Sequence, residues 1–371
     1  MKRYLVDIIK KDLTKKMVFL AGPRQVGKTT IAKELLGKNL EAYLNWDVSE
    51  GRENILRRSY PNSELIVFDE LHKFKTWKNY LKGIYDDPKR KFQLLVTGSA
   101  RLDLYRKGGD SLQGRYHLLR LHPLSVKELG LNSIQSMLEL LERSGFPEPY
   151  FSGSLDESRR WSREYRSRII GEEIRDLERI DDLGKLELLV MRLPDLVGSP
   201  LSINALREDL QVAHKTVERW IEALERLYVS YRLPPLAASQ IKAVKKSQKC
   251  YLYNWSVVQD PGARFENFVA GHLLKWVQYQ QDVLGKDIEL GYIRDSTGKE
   301  VDFVITERKK VLSIIECKLS ETKIDSSLRY FSERFIGSEA IQLVQNLEPE
   351  NERVINGVKL RSGLKFLQEL I

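Results

Sequence analysis

The chain has 371 residues, of which 42% are hydrophobic and 30% charged, and its formal net charge at pH 7 is +9. This composition excludes a disordered chain, and the lack of any apolar run of about 18 residues excludes a transmembrane helix. We therefore expect a cytoplasmic protein of two or three domains that has no membrane partner. Its basic surplus favours contact with phosphates.

The first third of the chain alternates short apolar strands with helical segments. Strands are predicted at Met17–Ala21, Leu65–Phe68 and Phe92–Val96, and a helix is predicted at Lys28–Leu36. Continuous apolar strands separated by helices are typical of a parallel sheet that is covered on both faces. The predicted fold class is therefore α/β with a parallel sheet.

A glycine-rich loop joins the first strand to this helix. It fits the P-loop pattern G-x-x-x-x-G-K-[ST] at every fixed position. Its glycines let consecutive backbone N–H groups point at phosphate oxygens, and the helix adds its positive end. Lys28 should reach the β- and γ-phosphates, and the Thr29 hydroxyl should bind Mg²⁺. The sequence predicts ATP and Mg²⁺ as cofactors, bound by Gly22, Pro23, Arg24, Gln25, Val26, Gly27, Lys28, Thr29 and Thr30.

Two carboxylates follow the second apolar strand. Asp69 and Glu70 end the run Leu65-Ile66-Val67-Phe68 downstream of the P-loop, which is typical of a Walker B motif. Asp69 is expected to hold Mg²⁺, directly or through water. Glu70 is expected to orient or deprotonate the attacking water. These residues predict an ATPase.

Further catalytic candidates follow the third strand. Thr97 or Ser99 would lie beside the γ-phosphate as a polar sensor, although an ordinary strand-end turn also explains these residues. Arg115 and Arg101 are candidate arginine fingers, which stabilise the charge of the transition state. A finger that acts on a neighbouring copy would require a homo-oligomer.

The middle of the chain is predicted to be helical. Helices are expected over Ser125–Leu141 and Ser158–Leu196, with loops at Gly145–Pro149 and Phe151–Ser154. Leu201–Leu236 has the pattern of two helices joined by a short turn. Within it, the helices Ser202–Leu210 and His214–Tyr228, joined by Gln211–Ala213, have helix-turn-helix proportions.

The polar side of this helix pair carries residues that favour DNA binding and residues that oppose it. Residues that would suit DNA lie near the start of its second helix, namely Lys215, Thr216 and Arg219. Glutamates on the same side would repel a DNA backbone, namely Glu218, Glu222 and Glu225. A later basic run would contact phosphates or form a solvated strand face, and contains Lys242, Lys245, Lys246 and Lys249. DNA binding, protein binding and a simple lid stay open.

The C-terminal part returns to strands. After a helix at Arg264–Tyr279, strands are predicted at Gly291–Arg294, Glu300–Thr306 and Val311–Leu319. The last two strands would form a hairpin through Glu307–Lys310.

This hairpin would bring three ionisable side chains together. Glu316 and Lys318 share one face of their strand, and Asp302 would face them from the other strand. The D…E-x-K arrangement occurs in many metal-dependent nucleases, where two carboxylates hold Mg²⁺ and the lysine steadies the nucleophile. Glu266, on the preceding helix, matches a fourth helper position. An active nuclease and an inert, salt-bridged version both fit, and in either one a metal or Lys318 should neutralise the carboxylates.

Together these motifs resemble a known family, the predicted prokaryotic AAA-superfamily ATPases that carry a C-terminal domain of uncharacterised function. The matching stretches are AGPRQVGKTT, LIVFDELHKFKTW, LLVTGSARLDL, SLQGRYHLLRLHPLSVKEL, SGFPEP, ARFENFVAGHLLKW and EVDFVI…IIECK. The resemblance implies a P-loop core, a winged-helix segment and a C-terminal domain with a restriction-endonuclease-like fold. It implies no particular substrate.

We accordingly expect an AAA-type ATPase core over residues 1–135, a helical and winged-helix segment over 136–240, and a restriction-endonuclease-like α/β domain over 241–371. The first functional hypothesis is an ATPase that couples nucleotide turnover to a nucleic acid or to a protein partner. The alternatives are a nucleotide-gated binding switch with little turnover, and an ATPase with an active metal-dependent nuclease domain.

Overall fold

The computed structural model describes residues 1–98, 112–174, 182–236 and 248–371. The chain groups into two compact units. The first unit comprises Met1–Pro123 together with Arg226–Tyr228 and Asp282–Leu284, and the second comprises the rest. The three-part division at residues 135 and 240 stays a prediction.

A parallel β-sheet lies at the centre of the first unit. Its strands are β1 (Met17–Ala21), β2 (Tyr43–Asn45), β3 (Leu65–Asp69), β4 (Gln93–Gly98) and β5 (Tyr116–Arg120). Within the described residues this five-stranded sheet has the order β2-β3-β4-β1-β5, and its pairings are parallel. Every residue of β1 and β3 is buried, as their continuous apolar pattern predicted. The α/β fold class with a parallel sheet is confirmed.

In the described part of the chain, four helices accompany these strands, and the second of them has the bounds predicted for Lys28–Leu36. They are α1 (Val6–Leu13), α2 (Lys28–Leu36), α3 (Ser49–Arg57) and α4 (Trp77–Tyr85). The register pairs Ala21 at the end of β1 with Gly98 of β4 and with Arg120 of β5. Asp69, at the end of β3, lies opposite Thr97. Because these parallel strands end at one edge of the sheet, the residues that follow them collect there.

The second unit begins with helices, listed here by their bounds. They are α5 (Val126–Leu129), α6 (Ile134–Arg143), α7 (Pro147–Phe151), α8 (Leu155–Arg168), α9 (Leu183–Arg192), α10 (Ile203–Leu210) and α11 (His214–Arg226). The single helix expected over Ser125–Leu141 is wrong, because Gly130 adopts a left-handed conformation (φ 61°) and ends α5. The loop expected over Gly145–Pro149 is wrong from Pro147 onward, whereas residues 152–154 form most of the loop expected at Phe151–Ser154. Pro147 begins α7 with the backbone angle that a first helical turn requires.

The pair α10 and α11 confirms two helices joined by a short turn, but the helical pattern does not continue to Leu236. Tyr228 has a left-handed conformation (φ 56°), which stops the helix. The chain then forms strand β6 (Ser230–Leu233), antiparallel to β7 (Lys249–Leu252). The rings of Tyr231 and Tyr251 stack across this pair with centroids 5.7 Å apart. Cross-strand aromatic packing therefore outweighs the helical periodicity here.

A larger mixed sheet completes the second unit. Its strands are β8 (Ile288–Arg294), β9 (Glu300–Glu307), β10 (Lys310–Lys318), β11 (Glu339–Val344), β12 (Arg353–Ile355) and β13 (Val358–Ser362). Within the described residues its order is β12-β13-β11-β10-β9-β8. The accompanying helices are α12 (Pro261–Leu284), α13 (Ser326–Arg334) and α14 (Gly363–Glu369). The predicted hairpin is confirmed, since Lys310 pairs with Glu307. Across the described ranges, no helix combines the length and apolar character needed to span a membrane.

Candidate functional site

The predicted phosphate-binding loop leaves β1 at the carboxyl edge of the first sheet. Positive φ angles occur at Gly22 (150°), Gln25 (60°) and Gly27 (105°). Such conformations turn successive N–H groups toward a common centre, which is how backbone nests bind anions. Gly22 is also required for space, because a Cβ there would lie 2.3 Å from the Leu121 carbonyl oxygen. The loop thus has the shape of an anion cradle.

Lys28 begins α2 and places its ammonium group inside this loop. The side chain is buried, and Nζ donates hydrogen bonds to the carbonyl oxygens of Gly22 (2.9 Å) and Pro23 (2.7 Å). These two contacts hold a positive charge where an anion in the loop would contact it. Thr29 and Thr30, next along the helix, are exposed, so the Thr29 hydroxyl is accessible to a metal ion.

Asp69, the carboxylate at the end of β3, is buried and accepts two hydroxyl groups. Thr97, its neighbour on β4, donates a hydrogen bond of 2.5 Å to Oδ1. Tyr43, on β2, donates to Oδ2, and its hydroxyl oxygen also lies 3.4 Å from Thr29 Oγ1. The two expected Mg²⁺ ligands, Thr29 and Asp69, therefore lie close together, and the Tyr43 hydroxyl contacts both of them. Thr97, predicted as a sensor, orients Asp69 in this structure.

Tyr43 was missed by the sequence analysis. Burial and then the charge of Asp69 raise the pKa of its hydroxyl, so it stays a protonated donor at neutral pH. The Lys33 ammonium lies 5.5 Å from the centre of its ring. The strand β2 that carries Tyr43 has three residues and an alternating burial pattern, too short for a periodic signal.

Glu70 follows Asp69 in a left-handed conformation (φ 54°), and its backbone N–H donates to the Thr97 carbonyl oxygen at 3.0 Å. One carboxylate oxygen lies 3.6 Å from His72 Nε2 and 3.8 Å from Lys73 Nζ. A side-chain carboxylate at this position has the oxygen atoms that a general base requires.

The residues at this edge fit a nucleotide with Mg²⁺. The loop and Lys28 suit a polyphosphate, while the Thr29 hydroxyl and the Asp69 carboxylate are oxygen ligands of the kind Mg²⁺ prefers. The buried amide oxygen of Gln25 has no hydrogen-bond partner among the described residues, which leaves a free acceptor in the loop. The individual roles of Arg24 and Thr30 stay predictions.

Arg3 supports the loop from outside the motif and was also missed. Its guanidinium donates to the carbonyl oxygens of Val26 (2.6 Å) and His122 (2.5 Å), and the side chain is buried. One planar donor group therefore joins the P-loop to the chain that follows β5. The partners lie 23 and 119 positions away in the sequence, so no local pattern signals the contact.

The candidate arginine finger Arg115 does not lie at this edge. Arg115 precedes β5, and the pairing of Tyr116 with Met17 places it at the opposite end of the sheet, about 13 Å along β1 from Ala21. There it forms a bidentate ion pair with Asp86. Arg115 therefore does not contact the nucleotide site of its own chain. Ser99 and Arg101 lie outside the described residues.

The predicted polar face of the helix pair is present on α11. Lys215 and Arg219 are exposed and Thr216 is half-buried, near the start of the helix. The glutamates Glu218 and Glu222 occupy the same helix. DNA binding by this surface stays a prediction, and Lys242, Lys245 and Lys246 lie outside the described residues.

Lys249 was placed with that surface lysine run, and this assignment is wrong. The residue begins β7, and its side chain is 1% exposed. Its ammonium lies 3.3 Å from Glu266, 2.7 Å from Glu300 and 3.3 Å from Asp302. A lysine that is buried among carboxylates cannot contact an external phosphate.

The C-terminal acidic cluster comprises Glu266, Glu300, Asp302 and Glu316, and its lysines are Lys249 and Lys318. The structure brings the predicted Asp302, Glu316 and Lys318 together. Glu316 pairs with Lys318 at 2.8 Å and accepts the Asp302 backbone N–H at 3.3 Å. Burial, and next the charge of Asp302, raise the pKa of both Glu266 and Glu316. Carboxylates thus outnumber the ammonium groups that face them.

Comparison with protein families divides the chain into three consecutive matches. Residues 14–130 match an AAA domain. Residues 134–260 match a domain of unknown function (DUF8612), and residues 261–362 match another (DUF4143). The winged-helix and restriction-endonuclease-like assignments stay predictions.

Curated relatives match large parts of the chain at low identity. Uncharacterized proteins of Mycobacterium tuberculosis and Mycobacterium bovis are each 28% identical over 241 residues, covering 64% of this chain and 54% of theirs. The aligned stretch thus spans about half the length of these relatives. An uncharacterized protein of Methanocaldococcus jannaschii is 20% identical over 365 residues, covering 88% of this chain and 80% of its own.

Solved structures show weaker similarity. A variant of RuvB from Thermotoga maritima has 19% identity and a TM-score of 0.32, covering 62% of this chain and 89% of its own. A signal transduction ATPase with numerous domains from Pyrococcus horikoshii has 12% identity and a TM-score of 0.23, covering 76% and 47%. Residues 14–130 thus match an AAA domain, and they contain the five-stranded parallel sheet of the first unit.

Proposed function

We propose that the protein is a Mg²⁺-dependent ATPase that couples nucleotide turnover to a nucleic-acid or protein partner. The observation that carries this proposal is the meeting of Thr29 and Asp69 through the Tyr43 hydroxyl, beside the loop that holds the Lys28 ammonium. A polyphosphate cradle and a pair of oxygen ligands for one cation lie at the same edge of the sheet.

Each residue of this group has a distinct task. The loop amides and Lys28 bind and orient the β- and γ-phosphates. Thr29 and Asp69 hold the cation, and Thr97 keeps the Asp69 carboxylate in one orientation. Bound Mg²⁺ supplies positive charge to the phosphate oxygens. Glu70 orients the attacking water and accepts its proton at a carboxylate oxygen.

The charged residues of the chain bear on the kind of partner. The net charge of +9 and the exposed Lys215 and Arg219 support contact with phosphates, while the glutamates of α11 support a protein partner instead. The alternative class, a nucleotide-gated binding switch, differs only in having negligible turnover.

One experiment separates these functions. ATP hydrolysis is measured with Mg²⁺ alone, then with single- and double-stranded DNA over a salt series, and ATP binding is measured by calorimetry. Stimulation that falls steeply with salt supports phosphate contacts by the partner. Tight binding without turnover under any of these conditions supports the switch. A protein that binds no adenine nucleotide with Mg²⁺ present contradicts both.

A further inference from the structure

Lys249 occupies the centre of the C-terminal acidic cluster. Its ammonium lies between Glu266 of α12 and two side chains of β9, Glu300 and Asp302, at 2.7–3.3 Å from their oxygens. The 2.7 Å separation from Glu300 is that of a charge-assisted hydrogen bond, and the two separations of 3.3 Å are longer ion-pair contacts. Magnesium would instead need octahedral oxygen ligands at about 2.0–2.1 Å, several of them waters. The cluster is therefore built around an ammonium ion.

The oxygens that the D…E-x-K pattern would offer to a metal are already engaged within the chain. Asp302 Oδ1 accepts from Lys249, and Oδ2 accepts the Cys317 backbone N–H at 3.0 Å. Glu316 Oε1 accepts from Lys318, and Oε2 accepts the Asp302 backbone N–H. Every carboxylate oxygen of the two expected metal ligands thus has an internal donor.

Glu266, the expected helper residue, is engaged in the same way. Its Oε1 accepts the Tyr251 hydroxyl at 2.7 Å as well as the Lys249 ammonium at 3.3 Å. Gly198 packs against this carboxylate, since a Cβ at that position would lie 2.7 Å from Glu266 Oε2. Among the described residues, no group of three or more His, Cys, Asp or Glu side chains is placed to hold a metal ion.

The Lys249 side chain is held in this position from several directions. Its backbone belongs to the antiparallel β6–β7 pair, opposite Leu233. Its ammonium lies 5.4 Å from the centre of the Tyr292 ring. Although burial opposes it, the charges of Glu266 and Asp302 keep the pKa of Lys249 above its usual value. The residue is thus a fixed, permanently charged cation.

We propose that the Lys249 ammonium takes the place of the divalent cation in this acidic site. The residues present therefore do not fit the metal that the D…E-x-K pattern implies. The site is instead a network of ion pairs within the chain. It joins β7, α12 and β9 within the second unit. The same carboxylates become a divalent-cation site only when this one positive charge is removed.

The test compares variants that differ in this charge. All carry Asp69→Asn, which removes the carboxylate expected to bind Mg²⁺ at the nucleotide site, and nucleotide is omitted. Mn²⁺ binding is followed by electron paramagnetic resonance in this parent, in Lys249→Met and in Lys249→Met/Asp302→Asn. Lys318→Met is the matched control, because it removes the other lysine of the cluster but leaves Lys249 in place.

We expect Lys249→Met to gain a Mn²⁺ site that binds on the order of tenfold tighter than any site of the parent, because unpaired carboxylates set cation affinity. The double variant should lose this gain, and Lys318→Met should not show it. Parent protein that already binds Mn²⁺ through Asp302 would overturn the proposal.

Loss of Lys249 also leaves buried carboxylates unpaired, which is destabilising. Melting temperatures with and without Mn²⁺ are therefore measured for Lys249→Met and for Lys249→Gln, which retains a neutral donor. Mn²⁺ should stabilise both variants and leave the parent unchanged. If Mn²⁺ neither binds to nor stabilises either variant, the carboxylates are not arranged around a cation position and the inference is wrong.

Discussion

The Tyr43 hydroxyl donates a hydrogen bond to the Asp69 carboxylate and lies 3.4 Å from the Thr29 hydroxyl. A phenol in this place competes with a cation for the lone pairs of both residues. Tyr43→Phe removes the competing donor and keeps the ring. We expect the Mg²⁺ concentration for half-maximal ATP hydrolysis to fall roughly fivefold, the equivalent of a hydrogen bond worth about 1 kcal/mol.

The measurement is a Mg²⁺ titration at fixed ATP, accompanied by binding of a fluorescent ATP analogue with and without Mg²⁺. Analogue binding without Mg²⁺ should be unchanged. A higher Mg²⁺ requirement in Tyr43→Phe would show instead that the phenol helps Asp69 to hold the cation.

Lys28 is expected to be essential for turnover. Its ammonium is the charged group inside the loop, so Lys28→Ala should lower the hydrolysis rate on the order of 10²–10³-fold or more. Lys38→Ala, which alters an exposed lysine just beyond the same helix, should hydrolyse ATP normally. Both are checked by phosphate release at saturating Mg²⁺. Normal turnover by Lys28→Ala would reject the site assignment.

Glu70 is expected to act on the attacking water in the hydrolysis step rather than in ATP binding. Glu70→Gln keeps the shape of the side chain but removes the base, so hydrolysis should fall about 10²–10⁴-fold while ATP stays bound. Filter binding of radiolabelled ATP and single-turnover hydrolysis separate the two effects. The control is Glu64→Gln, an exposed glutamate just before the amino end of β3. Weak ATP binding by Glu70→Gln would argue for a role in the ground state.

Arg3 is expected to stabilise the P-loop. Arg3→Met leaves the buried carbonyl oxygens of Val26 and His122 without their donor, at a cost of about 1–3 kcal/mol in the free energy of unfolding. Chemical denaturation measures this loss, and calorimetry should show weaker ATP binding. Lys2→Ala, which removes an exposed lysine paired with Asp7, should change neither. Equal stability of Arg3→Met and wild type would contradict the contact.

Glu316 should make stability depend on pH. Burial and the charge of Asp302 raise its pKa, with Asp325 adding to this effect and Lys318 opposing it. The folded chain therefore binds more protons here than the unfolded chain above about pH 4.5, the ordinary carboxyl value. This contribution is fully present below that value and is lost as pH rises through the folded pKa.

Glu316→Gln should accordingly flatten the decline in the free energy of unfolding between about pH 5 and about pH 8. Urea denaturation across this range measures the slope, with Glu333→Gln as an exposed control. Identical slopes in wild type and Glu316→Gln would mean that the carboxyl group titrates normally.

The sequence predicted what local patterns determine. The P-loop, the strand before Asp69 and the hairpin at Glu307–Lys310 depend on residues that are close in the chain, and the structure has each of them. The strand β6 that follows Tyr228 was not predicted, because it depends on pairing with β7, which is separated from it by an intervening stretch.

The contacts that the sequence analysis missed join residues that are far apart in the sequence. Tyr43 and Asp69 are 26 positions apart, Lys249 and Asp302 are 53 apart, and Arg3 and His122 are 119 apart. Neither periodicity nor a short motif connects such pairs. Lys249 shows this most clearly, since the residues that precede it in the sequence are basic and polar while its neighbours in space are carboxylates.

The contact between Gly22 and Leu121 has a mechanical consequence. With no side chain separating them, the backbone that opens the P-loop lies directly against the backbone that follows β5. A triphosphate that displaced the loop would displace Leu121 as well, because close-packed atoms transmit displacement rather than absorb it. Strand β5 is thus the first element outside the P-loop that nucleotide binding would displace.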